Sequence, residues 1–213
     1  MMSTNKTSQK KTAGTTARNS RATVDGVMER LTLVEVASVL RILLDKHPNL
    51  KREAEEIAAG VVSSPSVEDI ADDVCFDVTS LDMDDLNDRA GKQSWGYVEP
   101  GEAAEELLGE AVDEYIDDMK RRMDLGFDEA AEAVCAGIVL GLFRATSNES
   151  GAVIEWAPDF PAEHASYVIE EYLAKYPKGK RRGTGNRLLA ALTASVPEWS
   201  DMFIRITKRS MGR

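Results

Sequence analysis

Apolar residues recur along this chain every three or four positions, the period of one face of an α-helix. The pattern starts at Thr32-Leu33-Val34-Glu35, a capping-box sequence, and continues through Val36, Val39, Leu40, Leu43 and Leu44 until Pro48 stops it. A second helix is predicted from Leu50 to Val62, burying Leu50, Ala54, Ile57, Ala58 and Val61 and ending at Ser63-Ser64-Pro65. Ser66 opens a third, with an apolar stripe of Val67, Ile70, Ala71, Val74, Val78 and Leu81. Asp82 caps a short helix reaching about Ala90, and Gly91 to Pro100 reads as a loop holding Trp95, Gly96 and Tyr97.

The clearest element runs from Gly101 to about Leu125, where Ala104, Leu107, Leu108, Ala111, Tyr115, Met119 and Met123 form one face. Its acids begin at Glu102 and its bases, Lys120, Arg121 and Arg122, gather in the last turns, the order that suits the helix dipole. Gly126 stops it and Asp128 caps the next helix, to about Ala145, so the two make a tight antiparallel hairpin. Beyond a boundary at Thr146 to Asp159, a helix is predicted over Pro161 to Tyr176. Lys178 to Gly185 reads as a basic, glycine-rich loop, Asn186 to Ala194 as a short helix, and Ser195-Val196-Pro197-Glu198 as the box opening a final helix. No stretch shows a convincing period-2 strand pattern. The fold class is therefore all-α, built of antiparallel helical hairpins as a HEAT- or TPR-like stack or an irregular bundle.

Charge divides the same chain into three blocks. Residues 1–24 hold five bases (Lys6, Lys10, Lys11, Arg18, Arg21), nine Ser or Thr and no acids, a composition read as a disordered basic arm. Residues 25–145 form an acidic helical domain, and residues 146–213 a C-terminal helical subdomain packed on it, basic from Lys175 onward. The whole carries −11, which hides the sorting. No apolar run approaches the roughly 20 residues that span a bilayer, and the basic N-terminus lacks the apolar core of a secretory signal. Cys75 and Cys135 have no CxxC spacing and sit in apolar helical surroundings, as reduced, buried side chains of a cytoplasmic protein would.

Two short strings, Leu43 to Pro48 and Gly96 to Pro100, stand with the helical runs Ala103 to Asp118 and Cys135 to Arg144. Through them the stretch Leu33–Arg144 resembles an uncharacterised group of bacterial all-helical proteins, some of them found beside SWIM-type zinc fingers. The resemblance implies a helical fold and a bacterial source. It brings no activity and no site residues, and the cysteines and histidine of such a finger are absent from this chain.

Candidate chemistry is sparse. Asp72, Asp73 and Asp77 form a DDxxxD run that could chelate Mg²⁺ on a diphosphate, but a solvated acidic face is the plainer reading of such a run. Asp82 to Asp88 is rich in oxygens, yet a calcium loop requires Gly and Glu where Asn87 and Gln93 stand. His47 and His164 have no partner at the spacing of a triad or a zinc site. No catalytic residue and no cofactor is assigned. Lys178, Lys180, Arg181, Arg182 and Arg187 could lie on phosphates, and Trp95, Tyr97 and Trp156 could anchor a partner or else seal the end of the bundle. Three functions compete: a non-enzymatic helical scaffold offering an acidic surface to a protein partner; a nucleic-acid-associated protein or DNA mimic; and a Mg-dependent diphosphate enzyme.

Overall fold

A computed structural model describes residues 26–94, 96–147 and 152–212, so the basic arm and Trp95 lie outside the described residues. Among those described are nine helices: α1 (Leu33–Lys46), α2 (Lys51–Ser63), α3 (Val67–Thr79), α4 (Met83–Arg89), α5 (Pro100–Asp124), α6 (Asp128–Thr146), α7 (Phe160–Ala174), α8 (Lys178–Ser195) and α9 (Ser200–Gly212). One small hairpin, β1 (Gly91–Gln93) and β2 (Gly96–Val98), is the only sheet among them. The fold is all-α.

Several termini form where the side chains dictate. The Thr32 hydroxyl accepts from the Glu35 amide while the Glu35 carboxylate accepts from Thr32, closing the capping box of α1. Ser66 and Asp82 cap α3 and α4 with single bonds, their side chains accepting from the Asp69 and Asp84 amides. At the end of α5, Gly126 takes φ +83°. Its N–H reaches the Met123 carbonyl and that of Phe127 reaches the Arg122 carbonyl, a Schellman turn that starts α6 straight away.

Contacts divide the chain into two units, one through Glu53 and one from Ala54 onward. In the first, α1 forms with no buried residue: Leu33 is 88% exposed and Val34 77%. The predicted burial along α2 also fails, since Ile57, Ala58 and Val61 are exposed and Leu50 and Ala54 only half-buried. A capped helix satisfies its own backbone, so periodicity specifies an apolar face without supplying what covers it.

The second unit is organised around α6. Twelve of its 19 residues are buried, and α3, α5, α7 and α8 pack around it. α3–α6 and α7–α9 share this one core, with Leu108, Met119, Ile138, Leu142, Tyr172 and Phe203 fully buried. Closest approach is between α3 and α6. A Cβ on Gly137 would lie 2.7 Å from Ile70 Cγ2, and one on Gly141 would lie 2.7 Å from the Ala71 carbonyl oxygen. α5 and α7 both flank α6, with the ion pairs Lys120–Glu171 and Lys175–Asp124 between them.

Three predictions of local structure are corrected. Part of the Gly91–Pro100 loop pairs as a hairpin, tied down by the Gln93 side-chain amide, which donates to the Arg89 carbonyl at 2.9 Å. Lys178 to Gly185 is not a loop but the first half of α8: Gly185 is buried, Leu188 and Leu192 reach the core, and that packing outweighs the helix cost of three glycines. Ser195 closes α8 instead of capping α9, its hydroxyl donating back to the Ala191 carbonyl.

Candidate protein-interaction surface

Four bases of the C-terminal third, Lys175, Arg181, Arg187 and Arg209, are held by the chain's own carbonyls and carboxylates, while Lys180, Arg182, Arg205 and Lys208 are exposed and form no ion pair. Arg181 donates through Nε and Nη2 to the Tyr176 carbonyl, through Nη2 to Ala174 and through Nη1 to Ser210, so its guanidinium caps the carbonyl ends of α7 and α9. Arg187 donates to the Glu132 carboxylate at 2.6 Å; that carboxylate is 13% exposed and also accepts from Tyr172 Oη at 3.2 Å. Burial pushes the Tyr172 hydroxyl well above the usual phenol range, aided by its hydrogen bond with Tyr176. Arg209 pairs with Glu170, and Lys175 with Asp124. Of the predicted phosphate contacts, Lys180 and Arg182 alone are exposed and without an ion pair, and the Lys178 side chain lies outside those described.

The acidic side behaves differently. Asp72 and Glu68 share Arg144, at 2.6 and 2.5 Å, and Asp77 accepts from Tyr115 Oη at 2.5 Å. The DDxxxD run is thereby dispersed, and among the described residues no three His, Cys, Asp or Glu side chains converge on a metal position. Burial would raise the Asp118 carboxyl, but hydrogen bonds from Arg122 and Arg121 outweigh it and hold the group below the usual range. Arg122 also donates to the Val62 carbonyl, joining the end of α2 to α5. Glu102, Glu105, Glu106, Asp113, Asp84, Asp85 and Glu163, by contrast, are exposed and form no ion pair. The surface left after internal pairing is acidic.

Along the seam of α5 and α7 this acidic surface meets aromatic side chains. Glu105 and Gly109 from α5, with Phe160, Glu163, His164 and Tyr167 from α7, line an open cleft of about 310 Å³. Phe160 and His164 stack with ring centroids 4.6 Å apart, and Tyr167 follows at 5.5 Å from His164. Burial lowers the His164 pKa below its ordinary value, and its Nε2 is buried with no hydrogen-bond partner in the protein. Two turns up the same face of α5, the Trp156 carbonyl lies against Gly101. Trp156 is 49% exposed and Tyr97, on β2, 65%.

Sequence reasoning names Tyr97 and Trp156 but misses the cleft. Its signal was available on α7, where Phe160, Glu163, His164 and Tyr167 repeat at i, i+3, i+4 and i+7. Cys135 is fully buried and its thiol pushed far up by that burial, whereas Cys75 is half-buried. No described helix is long and apolar enough to cross a membrane. Comparison with protein families, with curated proteins and with solved structures finds no match.

Proposed function

We propose that this chain is a non-enzymatic interaction protein whose helical body offers an acidic surface to a protein partner. One observation carries the reading: Glu102, Glu105, Glu106 and Asp113 of α5, Asp84 and Asp85 of α4 and Glu163 of α7 are exposed and form no ion pair, whereas Arg181, Arg187, Arg209 and Lys175 are held by the chain's own carbonyls and carboxylates. Each ion pair cancels one charge of either sign, so the chain's excess of acids over bases stays uncompensated, a field that selects basic partners and repels phosphate. Exposed Tyr97 and Trp156 support the same reading, as amphipathic anchors beside that surface.

A second reading, contact with nucleic acid, rests on Lys180 and Arg182, exposed in the first turns of α8, and on the five bases of residues 1–24 in the sequence. One experiment separates the two. The full chain is passed at low salt over an immobilised basic protein and over DNA. Retention by the basic protein, released as salt is raised, with flow-through on DNA, is the expected outcome. Retention on DNA alone would overturn the acidic-surface reading in favour of the second.

A further inference from the structure

We propose that the cleft between α5 and α7 is a docking notch for an arginine side chain carried on a basic segment of a partner protein. This rests on the acidic-surface reading and names the chemistry of its partner.

The shape suits one side chain. At about 310 Å³ the cleft lies at the small end of ligand sites, which run from about 300 to 1,000 Å³. Its α5 wall includes Gly109, where an added Cβ would meet nothing within 4 Å. Glycine in a helix interior costs about 1 kcal/mol against alanine, and no neighbour here requires it. The glycine keeps the wall open.

The lining suits a guanidinium. Phe160, His164 and Tyr167 present a short aromatic row, and a flat, weakly hydrated cation stacks on such faces. Glu105 and Glu163, one from each helix, supply carboxylates for its forked N–H groups. Charge around the notch has one sign. Glu102 and Asp113 on α5 are exposed and form no ion pair, Arg89 near Glu106 is held by Glu110, and Lys120, farther along the seam, is held by Glu171. His164 adds no positive charge, because burial favours its neutral form. Exposed Trp156 lies beyond the N-terminal end of the notch, where residues flanking the arginine would run.

The test uses the full chain and two fluorescent peptides of equal length and charge, one of Arg and Gly, the other of Lys and Gly. The arginine peptide is expected to bind about tenfold more tightly than the lysine peptide, the difference that stacking and a forked contact add to charge. E105Q/E163Q, and separately G109L, which fills the notch, should each weaken the arginine peptide about tenfold or more. The charge-matched control D84N/D85N on α4 should change it less than about twofold. Equal losses in E105Q/E163Q and D84N/D85N, or equal affinity for both peptides, would overturn the notch while leaving the acidic surface standing. No binding of either peptide by the unaltered chain would overturn the acidic surface itself. A fourth variant changes Lys6, Lys10, Lys11, Arg18 and Arg21 to Gln. Unchanged affinity supports a separate partner, whereas a gain of about tenfold or more would mean that the chain's own arm competes for the notch, overturning the assignment.

Discussion

His164 shows how one side chain can hold both a cost and a reporter. Its ring stacks on Phe160, yet its Nε2 is buried without a partner, and burial depresses its pKa from 6.5. The sign of the pH effect follows directly. As pH falls the unfolded chain takes up this proton first, so stability is lost below about pH 6.5 and regained above it. His164→Phe keeps the stack and removes both the orphaned nitrogen and the titration. We expect the variant to be more stable at pH 7.5 by about 1 kcal/mol, or about 2–4 °C in Tm. Its Tm should also fall less than that of the parent between pH 7 and 5.5, checked by thermal scans across that range. An equal fall in both proteins would show that other groups govern the acid limb.

Helices, as elements, are legible here wherever a local signal is enough. Thr32 and Glu35, Ser66, Asp82 and Gly126 each act on residues two or three positions away, and α1, α3, α4 and α5 start or stop where they dictate. α8 was hidden because Gly179, Gly183 and Gly185 raise the local cost, while what offsets it, the seating of Leu188 and Leu192 in the core, is non-local. The cleft was hidden for a related reason: Glu105 and Tyr167 are 62 positions apart and meet only because α5 and α7 flank the same helix. The α3–α6 contact gives these arguments a measurable contrast. At Gly141 a methyl group would press on the Ala71 carbonyl and on Val74, at Gly137 on Ile70, and at Gly109 on nothing. We expect Gly141→Ala and Gly137→Ala to destabilise by about 1–3 kcal/mol, with Gly141 the worse because its Cβ would come to 2.7 Å from a backbone oxygen, against 3.0 Å at Gly137. Gly109→Ala should stabilise by about 0.5–1 kcal/mol. Urea unfolding of the three variants tests the order.

At the scale of the whole molecule, the charge blocks of the sequence are not three independent fields. Part of the C-terminal excess of bases is paired with the acidic centre through Arg187–Glu132 and Lys175–Asp124 and, within the C-terminal helices, through Arg209–Glu170. Most such pairs are exposed and add little, about 0–1 kcal/mol each. Arg187 differs, since Glu132 is 13% exposed and also holds Tyr172, so removing the arginine leaves a half-buried carboxylate with only a phenol for a partner. Arg187→Gln should therefore cost about 1–3 kcal/mol, whereas K180Q/R182Q, on exposed and unpaired side chains, should stay within about 0.5 kcal/mol of the parent. Both are read from urea unfolding at pH 7. The same double variant limits any phosphate contact made through Lys180 and Arg182. Two cations can add at most about 2 to the slope of log affinity against log salt, so a steeper dependence on DNA would have to come from elsewhere in the chain. If K180Q/R182Q destabilises as much as Arg187→Gln, the division between bases that hold the fold and bases left for solvent is wrong, and with it the account of why the folded surface is acidic.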